Sequence, residues 1–304
     1  MAQTDSPPSA YPVYGIALAV FAAVGFSAKA IFIKLAYRYG VDAVTLLALR
    51  MGFSAPVFLG VAALSHKRAD APALQRQDWA AVLMLGWLGY YLSSLLDFSG
   101  LQYISAGLER LILFLYPTLV VLLSAWLFRH PITARQLFAL LLSYGGIALV
   151  FVHDMTGLRL SMLSGAALVF ASALSYSAYL IGAGRYIGRI GAVRFTAYAM
   201  SVASLATFMQ FGLTHPVQRL LQPPPVYELA LAMAILSTIL PVFMLSAAIH
   251  RIGSGHTALA GSVGPVATLL LAYIFLGEQL GGVQLLGSAL VLAGVLTITL
   301  SQSK

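Results

Sequence analysis

The chain has 304 residues, of which 60% are hydrophobic and 9% charged, with 27 Gly and no Cys. A soluble domain carries roughly 45–50% apolar and about 25% charged residues, so this composition lacks the polar surface to coat a globule, and a soluble fold is excluded. The formal charge of +8 reads as cationic loops on one side of a membrane rather than as a nucleic-acid footprint, and without Cys there are no disulfides, thiol catalysis or cysteine metal sites.

About 20 apolar residues rising 1.5 Å each cross a hydrocarbon core of about 30 Å. Runs of that length recur from Tyr11 to Leu300. Unalternating stretches such as Leu111 to Phe128 do not suit a β-barrel, whose strands alternate polarity over roughly ten residues. The first predicted helix is Pro12–Tyr37. Its Ala28-Lys29-Ala30 imitates a small-residue cleavage site, but the tail before it has no Lys or Arg and the run is too long for a signal peptide, so it reads as an uncleaved span. Val41–Leu64, Trp79–Gly100, Tyr103–Phe128 and Thr133–His153 follow. A second group comprises Leu160–Gly182, Gly191–Leu213, Val226–Ile249, Gly253–Gly277 and Gly281–Leu300. The fold class is an all-α polytopic membrane protein with ten transmembrane helices. The connections are too short for an extramembrane domain.

With alternating loops, Lys67, Arg68, Arg76, Arg129, Arg135, Arg185, Arg189, Arg194, Arg251 and Lys304 fall on the side of both termini, against Arg38, Arg159 and Arg219 opposite. That asymmetry predicts cytoplasmic termini. At an offset of 148 residues, Ile104, Gly107, Leu111, Pro117, Gln136, Leu137 and Gly146 meet the same residue types at Ile252, Gly255, Leu259, Pro265, Gln284, Leu285 and Gly294. At 150, Gly15, Ser27 and Ala28 meet Gly165, Ser177 and Ala178. The chain therefore divides into a tail at 1–10, a five-helix repeat at 11–153, a second at 154–301 and a tail at 302–304. An odd helix number inverts the second repeat, and cytoplasmic Arg129 and Arg135 accordingly become outer Gly277 and Val283. Inverted repeats are a device of secondary transporters with a midplane site.

The second half carries Gly264-Pro265, Leu276-Gly277-Glu278 followed by Leu280, and then Gly287 and Gly294. The first carries Ala48-Leu49-Arg50, the run from Gly100 through Gly107, and Pro117, but reads Arg129-His130 where the second has its Gly-Glu element. These motifs resemble the EamA family of the drug/metabolite transporter superfamily. Among its members the chain is most similar to bacterial amino-acid exporters of the YddG type. The resemblance implies outward movement of aromatic and other small zwitterions across the bacterial inner membrane, by alternating access, with no cofactor.

A charge near a bilayer centre costs on the order of 3 kcal/mol, so each marks a candidate pathway residue. Lys29 and Arg50 lie about 12 Å inside their helices' outer ends at 1.5 Å per residue, with Glu109, Arg110 and Asp97 shallower. The plain reading is mutual neutralisation, foremost of Arg50 by Asp97 or Glu109. In the functional reading one cation, unmatched by the two anions, holds a substrate carboxylate, and Lys29 and Arg110 rank first. Lys34, three residues from its helix end, snorkels. Tyr90, Tyr91, Tyr116, Tyr176 and Tyr179 are candidate aromatic walls, together with Ser93, Ser94, Ser177, Ser237 and Thr238. Pro117 and Pro265 predict matched kinks. His153 and His256 are where proton coupling is open, with interfacial solvation as the plainer reading.

No His-Glu-x-x-His, dinucleotide spacing or ATP-binding loop occurs, which argues against an intramembrane hydrolase or a primary pump. The remaining alternatives are an exporter of cationic drugs or toxic metabolites, a channel, and a non-transporting scaffold. The implied partners are a small-molecule substrate and the lipid bilayer, without nucleic acid or metal; oligomeric state is not encoded legibly.

Overall fold

The computed structural model describes residues 12–66, 73–129, 131–154, 160–279 and 281–302. Their regular structure is helical: α1 Pro12–Tyr37, α2 Ala43–His66, α3 Arg76–Gly100, α4 Ala106–Phe128, α5 Ala134–Asp154, α6 Leu160–Ile190, α7 Ala192–Thr214, α8 at 224–261, α9 Val263–Leu276 and α10 Gly282–Gln302. Seven of the described helices are long and apolar enough to cross a membrane; Ala134–Val150, Val263–Leu276 and Gly282–Thr297 are shorter apolar helices. Large apolar side chains such as Trp126, Phe138, Leu141 and Leu286 are exposed, as a lipid-facing surface requires.

Two boundaries differ from expectation. α6 runs past Gly182 to Ile190, because Gly184 and Gly188 continue the helix and the chain first leaves it at Gly191, where φ is +89°. Helical backbone also continues from Leu240 to Gly261, through the connection expected after Ile249. No proline lies between Ile249 and Pro265, and the break falls at Ser262 instead.

That break has a counterpart. α4 is interrupted at Phe114 and Leu115, 148 residues before Ser262 and Val263. Pro117 and Pro265 then sit in the first turn of the next helical segment, where a missing N–H costs nothing. The expected proline kinks are thus realised as helix breaks just ahead of each proline. Ser27 Oγ donates to the Gly264 carbonyl at 2.8 Å, and Ser177 Oγ to the Tyr116 carbonyl at 3.2 Å, so each serine bonds the residue preceding the other half's proline. Wide π turns begin at Trp87 and Ile235, again 148 apart. Left-handed caps close the segments at Arg129, φ 54°, and Gly277, φ 72°.

Packing follows the same correspondence. α2 lies against α7 and α5 against α10; α1 packs on α8 and α9, as α6 packs on α3 and α4. Exchanging the halves turns each contact into another of the set. Between α5 and α10 the backbones nearly touch: a Cβ on Gly146 would lie 2.6 Å from the Gly287 carbonyl oxygen, and one on Gly287 2.7 Å from that of Gly146. Small residues permit this approach where no hydrophobic effect drives helices together.

Candidate functional site

α4 presents two charges one turn from its N-terminus, and two devices fix that terminus. Ser105 accepts from the Leu108 amide at 3.2 Å. The Glu278 carboxylate, arriving from beyond α9, accepts from the amides of Ala106 at 2.8 Å and Gly107 at 3.2 Å. A carboxylate there satisfies orphan N–H groups and the helix dipole together. The Gly-Glu element was visible in the sequence, but its partner 171 residues away along the chain was not.

Lys29, from the middle of α1, reaches between the two anions. Its Nζ lies 2.5 Å from Asp97 Oδ2 and 3.6 Å from Glu109 Oε1. Both carboxylates are 1% exposed, and Asp97 Oδ1 and both Glu109 oxygens have no hydrogen-bond partner among the described residues. The neutralising partner expected to be Arg50 is therefore Lys29. Arg50 Nη2 instead donates to Ser94 Oγ at 3.0 Å, and its guanidinium lies 4.9 Å from the Phe98 ring centroid. From one sequence, helix rotation was undetermined, and rotation decides which cation faces the carboxylates.

Arg110 points elsewhere. It makes no ion pair among the described residues, and its Nε is buried without a hydrogen-bond partner. The guanidinium occupies space opened by Gly264, where a Cβ would lie 2.5 Å from Nη2. Beyond it runs a tyrosine ladder: Tyr116 to Tyr176 and Tyr176 to Tyr179 at 5.6 Å between centroids, then Tyr179 to Tyr90 at 5.0 Å, with the last two hydroxyls 3.1 Å apart. The Tyr116 and Tyr176 hydroxyls lie in the electrostatic field of Arg110. Tyr91 stands apart, 5.8 Å from Trp87. Ser93 pairs with Ser172 at 3.1 Å across α3 and α6, a helix contact rather than a cavity wall.

Lys34 reaches the end of α3. Its Nζ donates to the carbonyls of Leu101 at 3.1 Å and Ile104 at 2.9 Å, the unsatisfied acceptors after α3 ends. Two further cross-helix pairs went unread in the sequence. Arg189, at the end of α6, pairs with nearly buried Asp78 at the start of α3. His215 Nε2 lies 3.4 Å from Asp42 Oδ1, where Asp42 also caps α2 through the Thr45 amide at 2.9 Å and hydroxyl at 2.6 Å. Partial burial pushes the Asp42 carboxyl up, but the Thr45 bonds and nearby His215 outweigh it and hold the carboxyl below its ordinary value. The side chains of His153 and His256 lie outside the described residues.

Comparison with known proteins agrees with this architecture. The model of the EamA-like transporter family matches twice, at residues 13–152 and 163–300. "Uncharacterized transporter YcbK" of Bacillus subtilis is 30% identical over 268 residues, covering 87% of this chain and 86% of that one. "Protein PecM" of Dickeya dadantii is 28% identical over 223 residues, covering 71% and 72%. A solved crystal structure superposes with a TM-score of 0.65 over 94% of this chain and 96% of its own, at 19% identity, a likeness of fold.

Proposed function

The chain belongs to the EamA-like transporter family, and from that premise we propose that it is a secondary transporter exporting amino acids, aromatic ones included, or closely related small zwitterions. The observation that carries the reading is Arg110: a guanidinium buried at Nε, without an ion pair among the described residues, at the end of a ladder of four tyrosines. A guanidinium takes a carboxylate in a two-pronged hydrogen-bonded pair, and the tyrosine faces receive an aromatic side chain. Lys29, already shared by two carboxylates, serves the site by holding Asp97 and Glu109 in place.

In this reading the three shorter apolar helices cross the membrane with the seven longer ones, giving ten crossings in two inverted five-helix repeats. The exchange of contacts between halves supports it. Both termini then lie in the cytoplasm of a bacterium, and the helix breaks before Pro117 and Pro265 flank the site from opposite halves. Alternating access moves one half against the other around it.

Counterflow in liposomes tests the proposal. Purified protein should exchange external labelled L-phenylalanine for internal unlabelled amino acid with a transient overshoot. Arg110→Met should abolish it. A flux without overshoot would indicate a channel, no flux a scaffold, and competition by cationic drugs but not by amino acids a different substrate class; any of these refutes the reading.

A further inference from the structure

We infer that Glu278 is a positioning residue of the transport cycle: seated on the first amides of α4, it shuts the seam between α4 and α9 over Arg110 and sets which side of the membrane the site faces. This rests on the transport reading above and adds the contact that governs its sidedness. The carboxylate accepts from the Ala106 amide at 2.8 Å and the Gly107 amide at 3.2 Å, and both bonds run between the two halves of the chain. Arg110 follows Gly107 by three residues, about 4.5 Å further along the helix axis. Its guanidinium fills space opened by Gly264 of α9, and a Cβ on Gly107 would lie 3.0 Å from Leu269 Cδ2, also of α9. The seam is therefore closed over Arg110 from the end that Glu278 occupies.

Local backbone aims that carboxylate. Gly277 turns the chain at a φ of +72°, directly after the wide turn Ala272–Leu276 that ends α9. Arg38, just past α1, donates through Nη2 to the Leu276 carbonyl at 3.2 Å and ties the turn to the first half.

At the opposite end of the bundle the described residues hold no equivalent contact, and the reason lies in both sequence and backbone. At the repeat offset of 148, Glu278 corresponds to His130, and the amides of Ala106 and Gly107 correspond to those of Ser254 and Gly255. Ser254 and Gly255 fall within the unbroken helix Leu240–Gly261, so their amides are bonded one turn back and offer an anion nothing. At the offset of 150 that relates α1 to α6, Arg38 corresponds to Gly188, and a Cβ there would meet nothing within 4 Å. The pair of Arg189 and Asp78 at that end joins α6 to α3 and does not tie α4 to α9.

Closure is thus biased to one end. With Glu278 in place the site is shut on the side of Arg38, the outer side in the orientation proposed above, and loads from the cytoplasm. Discharge outward requires the carboxylate to leave both amides, which water then takes over. A hydrogen bond to an ionised acceptor is about twice as strong as a neutral one. Glu278→Gln keeps the volume and loses the charge, so it should raise the outward-open population about tenfold or more.

Because the chain has no Cys, single introduced cysteines read the two ends of α4. Leu269, facing Gly107 across the seam, is 7% exposed, and Val121, toward the far end of α4, is 6% exposed. In oriented vesicles a membrane-impermeant maleimide on the outer face should modify Leu269→Cys about tenfold faster when Glu278→Gln is added, and Val121→Cys at an unchanged rate. An unchanged rate at Leu269→Cys, or a gain only from the cytoplasmic face, overturns the inference. Faster modification at both positions would show that α4 is loosened throughout, which overturns it as well. If the parent protein does not exchange L-phenylalanine or any other amino acid, the transport reading fails, and the labelling rates still decide the closure. Should Glu278→Gln not fold, Arg38→Met, at an exposed position, should speed Leu269→Cys in the same sense, and an unchanged rate there refutes the closure.

Discussion

Lys29 and Arg110 are two partly buried cations of the same region, and the structure requires that removing them have different costs. Lys29 Nζ stands 2.5 Å from Asp97 Oδ2 and 3.6 Å from Glu109 Oε1. Lys29→Met fills similar volume but strands two carboxylates that are 1% exposed. Breaking one partner out of a buried pair costs about 3–5 kcal/mol. At roughly 2–4 °C per kcal/mol for a chain of this size, the melting temperature should fall on the order of 10 °C. Arg110 makes no ion pair among the described residues, so Arg110→Met strands no carboxylate in a broken pair. Its stability should stay within about 1 kcal/mol of the parent, or rise, while substrate binding is lost. Melting of both variants in one detergent, followed by tryptophan fluorescence, compares them directly. An Arg110→Met protein as destabilised as Lys29→Met would show that Arg110 is a structural charge and would refute the assignment of the substrate carboxylate to it.

Three further outcomes follow from local geometry. Gly264→Ala should weaken substrate binding with little loss of stability, because the new methyl meets the end of a flexible side chain 2.5 Å away, at Arg110 Nη2; binding titrations against melting temperature separate the two effects. Arg129→Gly should stabilise by about 1 kcal/mol, since Arg129 holds a left-handed φ of 54° that glycine adopts without steric cost, and a rise in melting temperature checks it. Asp42→Asn should flatten the acid side of the stability profile. The folded-state carboxyl lies below its ordinary value of 3.8, so its contribution is complete above that value and is lost as pH falls through the folded one. Melting temperatures from pH 3 to 7 should converge between variant and parent only at the acid end.

Composition and period are local properties, and the sequence by itself determined what depends on them: a helical membrane protein, spans near their observed places, and a repeat whose landmarks recur as structure. Pro117 with Pro265 mark helix breaks, and Ser27 with Ser177 mark the hydrogen bonds that cross between halves. The charged residues worth attention were also legible, because a charge inside an apolar run is conspicuous wherever it points. Which partner each one takes was not. Lys29 rather than Arg50 reaches Asp97 and Glu109, Lys34 caps the end of α3, and Glu278 holds α4 from the far end of the chain. Those pairings depend on helix rotation and on the docking of one half against the other. A few tens of degrees about a helix axis exchanges one partner for another without altering the hydrophobic pattern that a sequence displays, so only the assembled helices decide that Arg110, among the described residues, makes no ion pair.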